Sequence, residues 1–498
     1  MQRCLEAVAS NDITLATPQV KTPLYDALVR YANSDVQSFD VPGHKRDFPH
    51  PMAETLGTMT LKMDANSMAE LDLLSHPNGV IEEAQALAAE AFGADRAYFL
   101  VNGTTVGILA MILAMCKPGD EIIVPRNCHK SVMNGILLSG AIPIFIQPEV
   151  DEHFGISHNL SLGRIQETIA LYPTAKVLLV TYPTYFGAMS DLNKICDFAH
   201  ANGLTVIVDS AHGAHLAVTE YVDAIAAGAD AVTMSMHKTG GSLTQSSILL
   251  LKEGRIQPSK IQKVLNMLQT TSANYLLMSS LDVARRELVL YGEERYESLK
   301  KVVENAIHTL HEISKFEILT ERYMRNRFNQ QFDWTKFVVR VNNIGLTGFE
   351  VYELLKKHYN IQAELAEGYV VMFIISYADD EKSIQNLVFA LTDLEKRFGK
   401  SEKLQMPMVV NNEMNQLGMT PQQAMYAEHE YVTLTDAIGK ICAETIMIYP
   451  PGIPLIIPGE FISQQVVDLY NFYNQSIGNV LVENDEKNKI TVIREIDK

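Results

Sequence analysis

The chain has 498 residues, 47% hydrophobic and 20% charged, enough for about two to four domains at roughly 100–200 residues each. Its 41 basic and 59 acidic side chains leave a formal net charge of −18, which argues against a phosphate-backbone partner and favours the approach of cationic small molecules. Nothing in the composition resembles a disordered or collagen-like chain.

From the N-terminus, MQRCLEAVASNDITLATPQV contains no continuous apolar stretch of the kind a signal peptide carries. Residues 1–60 are expected to form an N-terminal arm. Near Gly79 the pattern becomes regular: GVIEEAQALAAEAFG has helical spacing of Ile81, Ala84, Leu87, Ala88 and Ala91, with Gly93 as a stop. RAYFLV (96–101) reads as a buried strand, NGTTVG as a turn, and Val106–Cys116 as an apolar helix far below the roughly 18 residues needed to cross a bilayer. Strands follow at 121–125, 141–146, 175–183, 204–211, 229–236 and 246–253, most separated by helical segments such as 191–203. Strands that are apolar at nearly every position, alternating with helices, predict an α/β domain with a mostly parallel sheet covered on both faces, over about residues 61–290.

A long helix is predicted from about Ser280 to Ser314. Strands at 336–341 and 369–375 with helices at 348–359 and 383–398 then read as a smaller α/β domain over 291–398. GKSEKLQMP (399–407) is a polar linker into a C-terminal domain, 399–498, whose run YPPGIPLIIPGE (449–460) excludes a regular helix through its prolines and glycines. Cys4, Cys116, Cys128, Cys196 and Cys442 are dispersed without a CxxC pair, the pattern of reduced thiols. A cytoplasmic chain with no membrane segment and no metal centre is expected.

Four features of the large domain belong together. Lys238 follows a strand in SMHKTGG, Asp209 ends one in VIVDSAHGAH, NGTTVG joins a strand to a helix, and His129 in RNCHKS begins another helix. Singly, each has an ordinary explanation: a solvated surface charge, a cap, a turn, a satisfied polar residue. Jointly they fall at the C-terminal ends of strands in one sheet, where open α/β sheets bind ligands. The chemistry they would support is that of pyridoxal phosphate (PLP). Its aldehyde needs a lysine for a Schiff base, which suits Lys238, and its pyridine nitrogen needs an acid, which suits Asp209. Its phosphate needs amides and hydroxyls at a helix N-terminus, which Gly103, Thr104 and Thr105 offer, with Ser235 and His237 flanking the lysine. Its ring face needs a flat partner, for which His129 is the candidate.

The chain closely resembles the Orn/Lys/Arg decarboxylase family of PLP enzymes, from PGHKRDFP (42–49) through LVNGTTVGI, PRNCHKS, TYPTYFG (181–187), VDSAHGAH and SMHKTGGSLTQSS to YPPGIPLIIPGE. The resemblance covers nearly the whole chain and is to the short branch of the family. It implies the type I (aspartate-aminotransferase) fold, with Lys238 as the Schiff-base lysine, Asp209 as the ring-nitrogen partner and His129 as the stacking residue. It also implies a phosphate cradle of Thr104, Thr105, Ser235 and His237, and contact of His212 with the cofactor. TTSANYLL (270–277) matches a segment that the family donates to a neighbouring subunit, so Thr271 or Ser272 would act across a homodimer interface, with further association of dimers left open. One departure is visible: short members commonly read DEAHG where this chain has Ser210 in DSAHG.

The reaction so implied is α-decarboxylation of a basic amino acid, arginine to agmatine and CO₂ ahead of lysine or ornithine, as a step of polyamine biosynthesis. The acid returning a proton to Cα is a histidine or Lys238. Recognition of a guanidinium favours carboxylates, with Glu460 in the PGE turn as first candidate and Glu70 and Asp72 as weaker ones. The rival readings are another type I PLP enzyme such as an aminotransferase or lyase, a desulfurase using Cys128, and a non-catalytic protein that kept the fold.

Overall fold

The computed structural model describes residues 17–46, 49–313, 315–405, 414–448, 452–476, 480–484, 486 and 489–494. Its central sheet has seven strands: β1 (Arg96–Leu100), β2 (Glu121–Pro125), β3 (Ile142–Ile146), β4 (Val177–Thr181), β5 (Thr205–Asp209), β6 (Ala231–Met234) and β7 (Ser247–Leu251). They lie in the order β1-β7-β6-β5-β4-β2-β3. Strands β2 to β6 are mutually parallel, and β7 is antiparallel to both β1 and β6. The mostly parallel sheet is therefore as expected, with one reversed strand. Because β6 and β7 are antiparallel neighbours they need no crossover helix. The loop between them stays at the C-terminal end of β6, and Lys238 sits in it.

The strand sequences are apolar on both faces because both faces are covered. Ile207 of β5 packs in one core cluster with Ile108, Met111, Val132 and Ile136 from the helices Gly103–Met115 and Lys130–Ser139. Its neighbours Val206 and Val208 point the other way, into a cluster with Ile81, Leu192, Ile195 and Leu281. At Gly107 a Cβ would come within 2.3 Å of Thr233 Oγ1, so the Gly103–Met115 helix rests directly on β6. The predicted long helix spans Tyr275–Ile313, 39 residues that run unbroken past residue 290.

The second sheet has four antiparallel strands in the order Glu317–Ile318, Lys336–Arg340, Val370–Ile374, Leu365–Ala366. Helices Gly348–Tyr359 and Glu381–Phe398 accompany it, each opening on a capping box, Thr347 with Glu350 and Asp380 with Ser383. Further on, the hairpin Ile446–Ile448 with Ile453–Ile456 and the helix Gln464–Ser476 share a core with Phe349. The described part of the 449–460 run is strand and turn, not helix; residues 449–451 lie outside the described residues. Among the described residues no helix is long and apolar enough to cross a membrane. Cys116, Cys128 and Cys196 are unpaired and buried, and burial pushes their thiols up to about 12; Cys442 is buried and unpaired as well, and Cys4 lies outside the described residues.

Candidate active site

The C-terminal ends of the parallel strands converge on one cavity of about 320 Å³, a size suited to a small-molecule site. Thr181 reaches it from β4, Asp209 from β5, His129 from the turn after β2, Lys238 from the turn after β6, and Thr104 from the helix after β1. Five of the residues singled out in the sequence, Thr104, His129, Asp209, His212 and Lys238, separated by up to 134 positions, thus line a single space because parallel strands all end on the same side.

Lys238 Nζ lies 2.9 Å from His212 Nε2. As an ammonium Lys238 donates to Nε2; the other ring nitrogen of His212, Nδ1, is buried with no partner among the described residues. Burial pushes the His212 imidazole well below its usual range, and the Lys238 charge pushes the same way. Burial also lowers the affinity of Lys238 for its proton, while the Asp209 and Glu364 carboxylates pull it back up. Asp209 accepts the Ala211 amide on Oδ1 at 3.1 Å. Its carboxyl is raised by burial and held down by His129 and Lys238. His129 caps the Lys130–Ser139 helix: its Nδ1 accepts the Ser131 amide at 3.2 Å and lies 2.8 Å from the Ser131 hydroxyl. The rest of the ring is open to the cavity, and burial of the site lowers its affinity for a proton, opposed by Asp209.

The remaining sequence candidates divide. Thr104 Oγ1 and Ser235 Oγ are 3.2 Å apart, Thr104 on the cavity wall and Ser235 buried behind it. The His237 ring is tied through Nδ1 to the Ser246 carbonyl at 2.9 Å. The Gly103 amide donates to the Gln245 carbonyl at 2.8 Å, so this glycine, with φ of +69°, shapes the turn. Thr105 is exposed, as are Thr271 and Ser272, none of them on the cavity wall of this chain.

The expectation for Glu460 is corrected. Its side chain is fully buried and faces Arg126, with Oε2 2.9 Å from Nη2 and Oε1 3.2 Å from Nε. It also accepts the Ile457 amide at 3.1 Å. The same guanidinium donates to the carbonyls of Pro454 and Leu455 at 2.9 and 3.1 Å, so Glu460 seats the hairpin on the strand end rather than offering a charge to the cavity. Asp72 likewise is spent on backbone: its Oδ2 accepts the amides of Gly79 and Ile81 at 2.8 and 3.1 Å and caps the helix Val80–Ala91. Glu70 is exposed and off the cavity wall.

Two other carboxylates line the cavity, Glu364 and Glu367, at the two ends of the short strand Leu365–Ala366. The Tyr185 hydroxyl donates to Glu364 Oε1 at 2.5 Å. The Tyr185 ring stands edge-on to His212, centroids 4.5 Å apart, with Lys238 Nζ 5.7 Å from its centre. Tyr185 therefore links the lysine end of the cavity to the acidic end. Glu367 accepts the Tyr473 hydroxyl at 2.9 Å, and burial pushes its carboxyl up to about 7. Leu469 and Tyr473, four apart on one face of the Gln464–Ser476 helix, close this side. Glu364, Glu367, Tyr185, Leu469 and Tyr473 were not singled out in the sequence. Tyr185 stands within TYPTYFG, but its role follows from a contact 179 positions away. The hairpin Val150–Asp151 with Ile156–Ser157, whose Gly155, Ile156 and Ser157 also line the cavity, has strands too short to show a period.

The residues present fit PLP. A buried carboxylate with a single amide donor faces the same space as a lysine whose proton is loosely held, an imidazole open to that space and a pair of adjacent hydroxyls. Together with a seven-stranded sheet reversed at β7, they define the type I fold of PLP-dependent enzymes. The crystal structure of a Francisella novicida lysine decarboxylase has this fold: it superposes with a TM-score of 0.80 at 21% identity, covering 95% of this chain and 81% of that one. The family models for the Orn/Lys/Arg decarboxylase major domain and C-terminal domain match residues 22–338 and 402–479, and the chain belongs to that family. An arginine decarboxylase of Bacillus subtilis is 40% identical over 483 residues, 96% of this chain and 98% of its own. One from Halalkalibacterium halodurans is 40% identical over 452 residues, 90% of this chain and 92% of its own.

Proposed function

We propose that this decarboxylase acts on L-arginine, releasing CO₂ and agmatine with PLP held at Lys238. The observation that carries the reading is a cavity with a lysine, a histidine and an aspartate at one end and two carboxylates at the other. When bound, the cofactor supplies the electron sink for the breaking Cα–carboxylate bond. Lys238 Nζ is the attachment point, and burial keeps it toward the neutral, nucleophilic form. Asp209 favours a protonated ring nitrogen, and His129 offers its open ring to the ring face. Thr104 and Ser235 offer hydroxyls to the phosphate, with His237 behind them and Gly103 and Thr105 forming the turn. Glu364, oriented by Tyr185, meets the distal cation of the substrate. Lys238 Nζ and His212 Nε2, 2.9 Å apart, share a proton that can be returned to Cα.

The same reading has Thr271 and Ser272 completing the phosphate site of a second copy, which makes a homodimer the smallest active unit. It assigns the enzyme to cytoplasmic polyamine biosynthesis. The test is release of labelled CO₂ from carboxyl-labelled arginine, lysine and ornithine by purified protein with added PLP. Release from arginine at a kcat/KM well above the other two is expected, and release from lysine or ornithine alone overturns the arginine assignment.

A further inference from the structure

Nine acidic side chains among the described residues are buried: Asp72, Asp151, Asp209, Asp230, Asp282, Asp333, Glu367, Glu444 and Glu460. Seven are satisfied where they stand, by a lysine or arginine or by several hydrogen-bond donors. Glu460 has Arg126, Asp282 has Arg285 at 2.7 Å, Asp333 has Lys336 at 2.9 Å, and Asp230 has Arg255, while Asp151 accepts the amides of His153 and Phe154 and the Tyr323 hydroxyl. Asp72 and Glu444 have no cation but each accepts several backbone amides. The two left over are Asp209, with one amide, and Glu367, with one phenol. Both line the same cavity.

A buried carboxylate without a cation is costly unless something that binds completes it. For Asp209 that something is the ring nitrogen. We infer that Glu367, held by the Tyr473 hydroxyl, is a second acceptor for the distal cationic group of the substrate, deeper than Glu364 and sealed by the Gln464–Ser476 helix. This rests on the reading of a basic amino-acid substrate. A planar guanidinium presents five donors in a fixed fork, so two carboxylates three residues apart on either side of one short strand can each take a share. The Tyr473 hydroxyl donates to Oε2 and so fixes the direction of the carboxylate. The site is thereby split between segments: the lysine and aspartate come from the large sheet, the acids from the edge of the second sheet, and the residue that orients the inner acid from the last long helix.

The test uses two readouts. Binding of agmatine and of n-pentylamine, which lacks the distal cation, is measured by calorimetry on the PLP-free full-length protein, and kcat and KM are measured on the PLP-loaded enzyme. Glu367→Gln, nearly isosteric, is expected to weaken agmatine and raise the substrate KM by about tenfold or more. Pentylamine affinity is expected to hold, and kcat to change much less than KM. Tyr473→Phe is expected to give a smaller change of the same kind. Unchanged agmatine affinity in Glu367→Gln overturns the inference, as does equal weakening of both amines, which would mean a purely structural role. If the wild-type enzyme releases CO₂ from lysine instead of arginine, the substrate assignment falls. The inference on Glu367 is then judged by the same comparison with 1,5-diaminopentane in place of agmatine.

Discussion

Glu460 lies fully buried beneath the hairpin that ends at Ile456, with the Arg126 guanidinium on both of its oxygens. Glu367 is 9% exposed and has a phenol where Glu460 has a cation. The residue type and the burial are nearly the same, yet one carboxylate is consumed in holding the chain together and the other is left to face a ligand. The contrast teaches that burial alone does not mark a binding acid. What matters is whether the fold has already supplied the opposite charge. The same distinction separates Asp333, whose carboxyl is held well below its usual range by His215 and Lys336, from Asp209, whose carboxyl burial raises.

The largest effect expected is at the attachment point. Lys238→Ala should remove the visible absorption band of the bound cofactor and lower kcat/KM by at least about a thousandfold, as loss of a covalent residue does. A retained band at the wild-type position would break the assignment. Next comes the neutralised acid. Glu460→Ala leaves Arg126 buried without its partner, and a loss of about 3–5 kcal/mol in urea unfolding is expected. Agmatine affinity of the folded protein should be far less affected than in Glu367→Gln.

The unneutralised acid should behave in the opposite sense. Burial raises the Glu367 carboxyl from 4.5 to about 7 in the folded state, so between those values the folded chain binds the proton that the unfolded chain has lost. Stability then falls as pH rises through this window, and the full penalty, about 3 kcal/mol, stands above it. Glu367→Gln has no such penalty, so its advantage in thermal unfolding over wild type should grow from pH 5 to pH 8. An advantage that shrinks with pH would show that Glu367 has a cation after all. The smallest effect concerns the support of the site. Gly107→Ala should cost about 1–3 kcal/mol through overpacking against Thr233, with cofactor binding weakened because the Gly103–Met115 helix carries Thr104.

Much of the large domain was legible because its signals are local. The runs at 121–125, 175–183 and 204–211 are apolar at successive positions, which only a doubly covered strand requires, and each was found within a few residues of its bounds. The antiparallel placing of β7 was not legible, since its sequence is as apolar as its parallel neighbours. Lys238, Asp209, His129 and Thr104 could be named because each sits at a strand end marked by a turn. The acidic end could not. Glu364 and Glu367 flank an edge strand of two residues, and nothing near them in the chain tells them from an ordinary solvated glutamate. Glu460, in a rigid turn rich in proline and glycine, looked the better binding acid for the same reason: its local setting was visible and its partner was not.

By itself, then, the sequence determined the alternation of strands and helices, and with it one end of the cavity. Parallel strands bring all their C-terminal ends to one side whatever the details of packing. Which acids face the substrate was decided only by the tertiary structure. Charge neutralisation inside a protein is a matter of contact: Arg126 reaches Glu460 across 334 positions and Tyr473 reaches Glu367 across 106. No local pattern encodes a contact at that range, and the Coulomb and desolvation energies that separate a structural carboxylate from a binding one act over a few ångströms of space rather than along the chain.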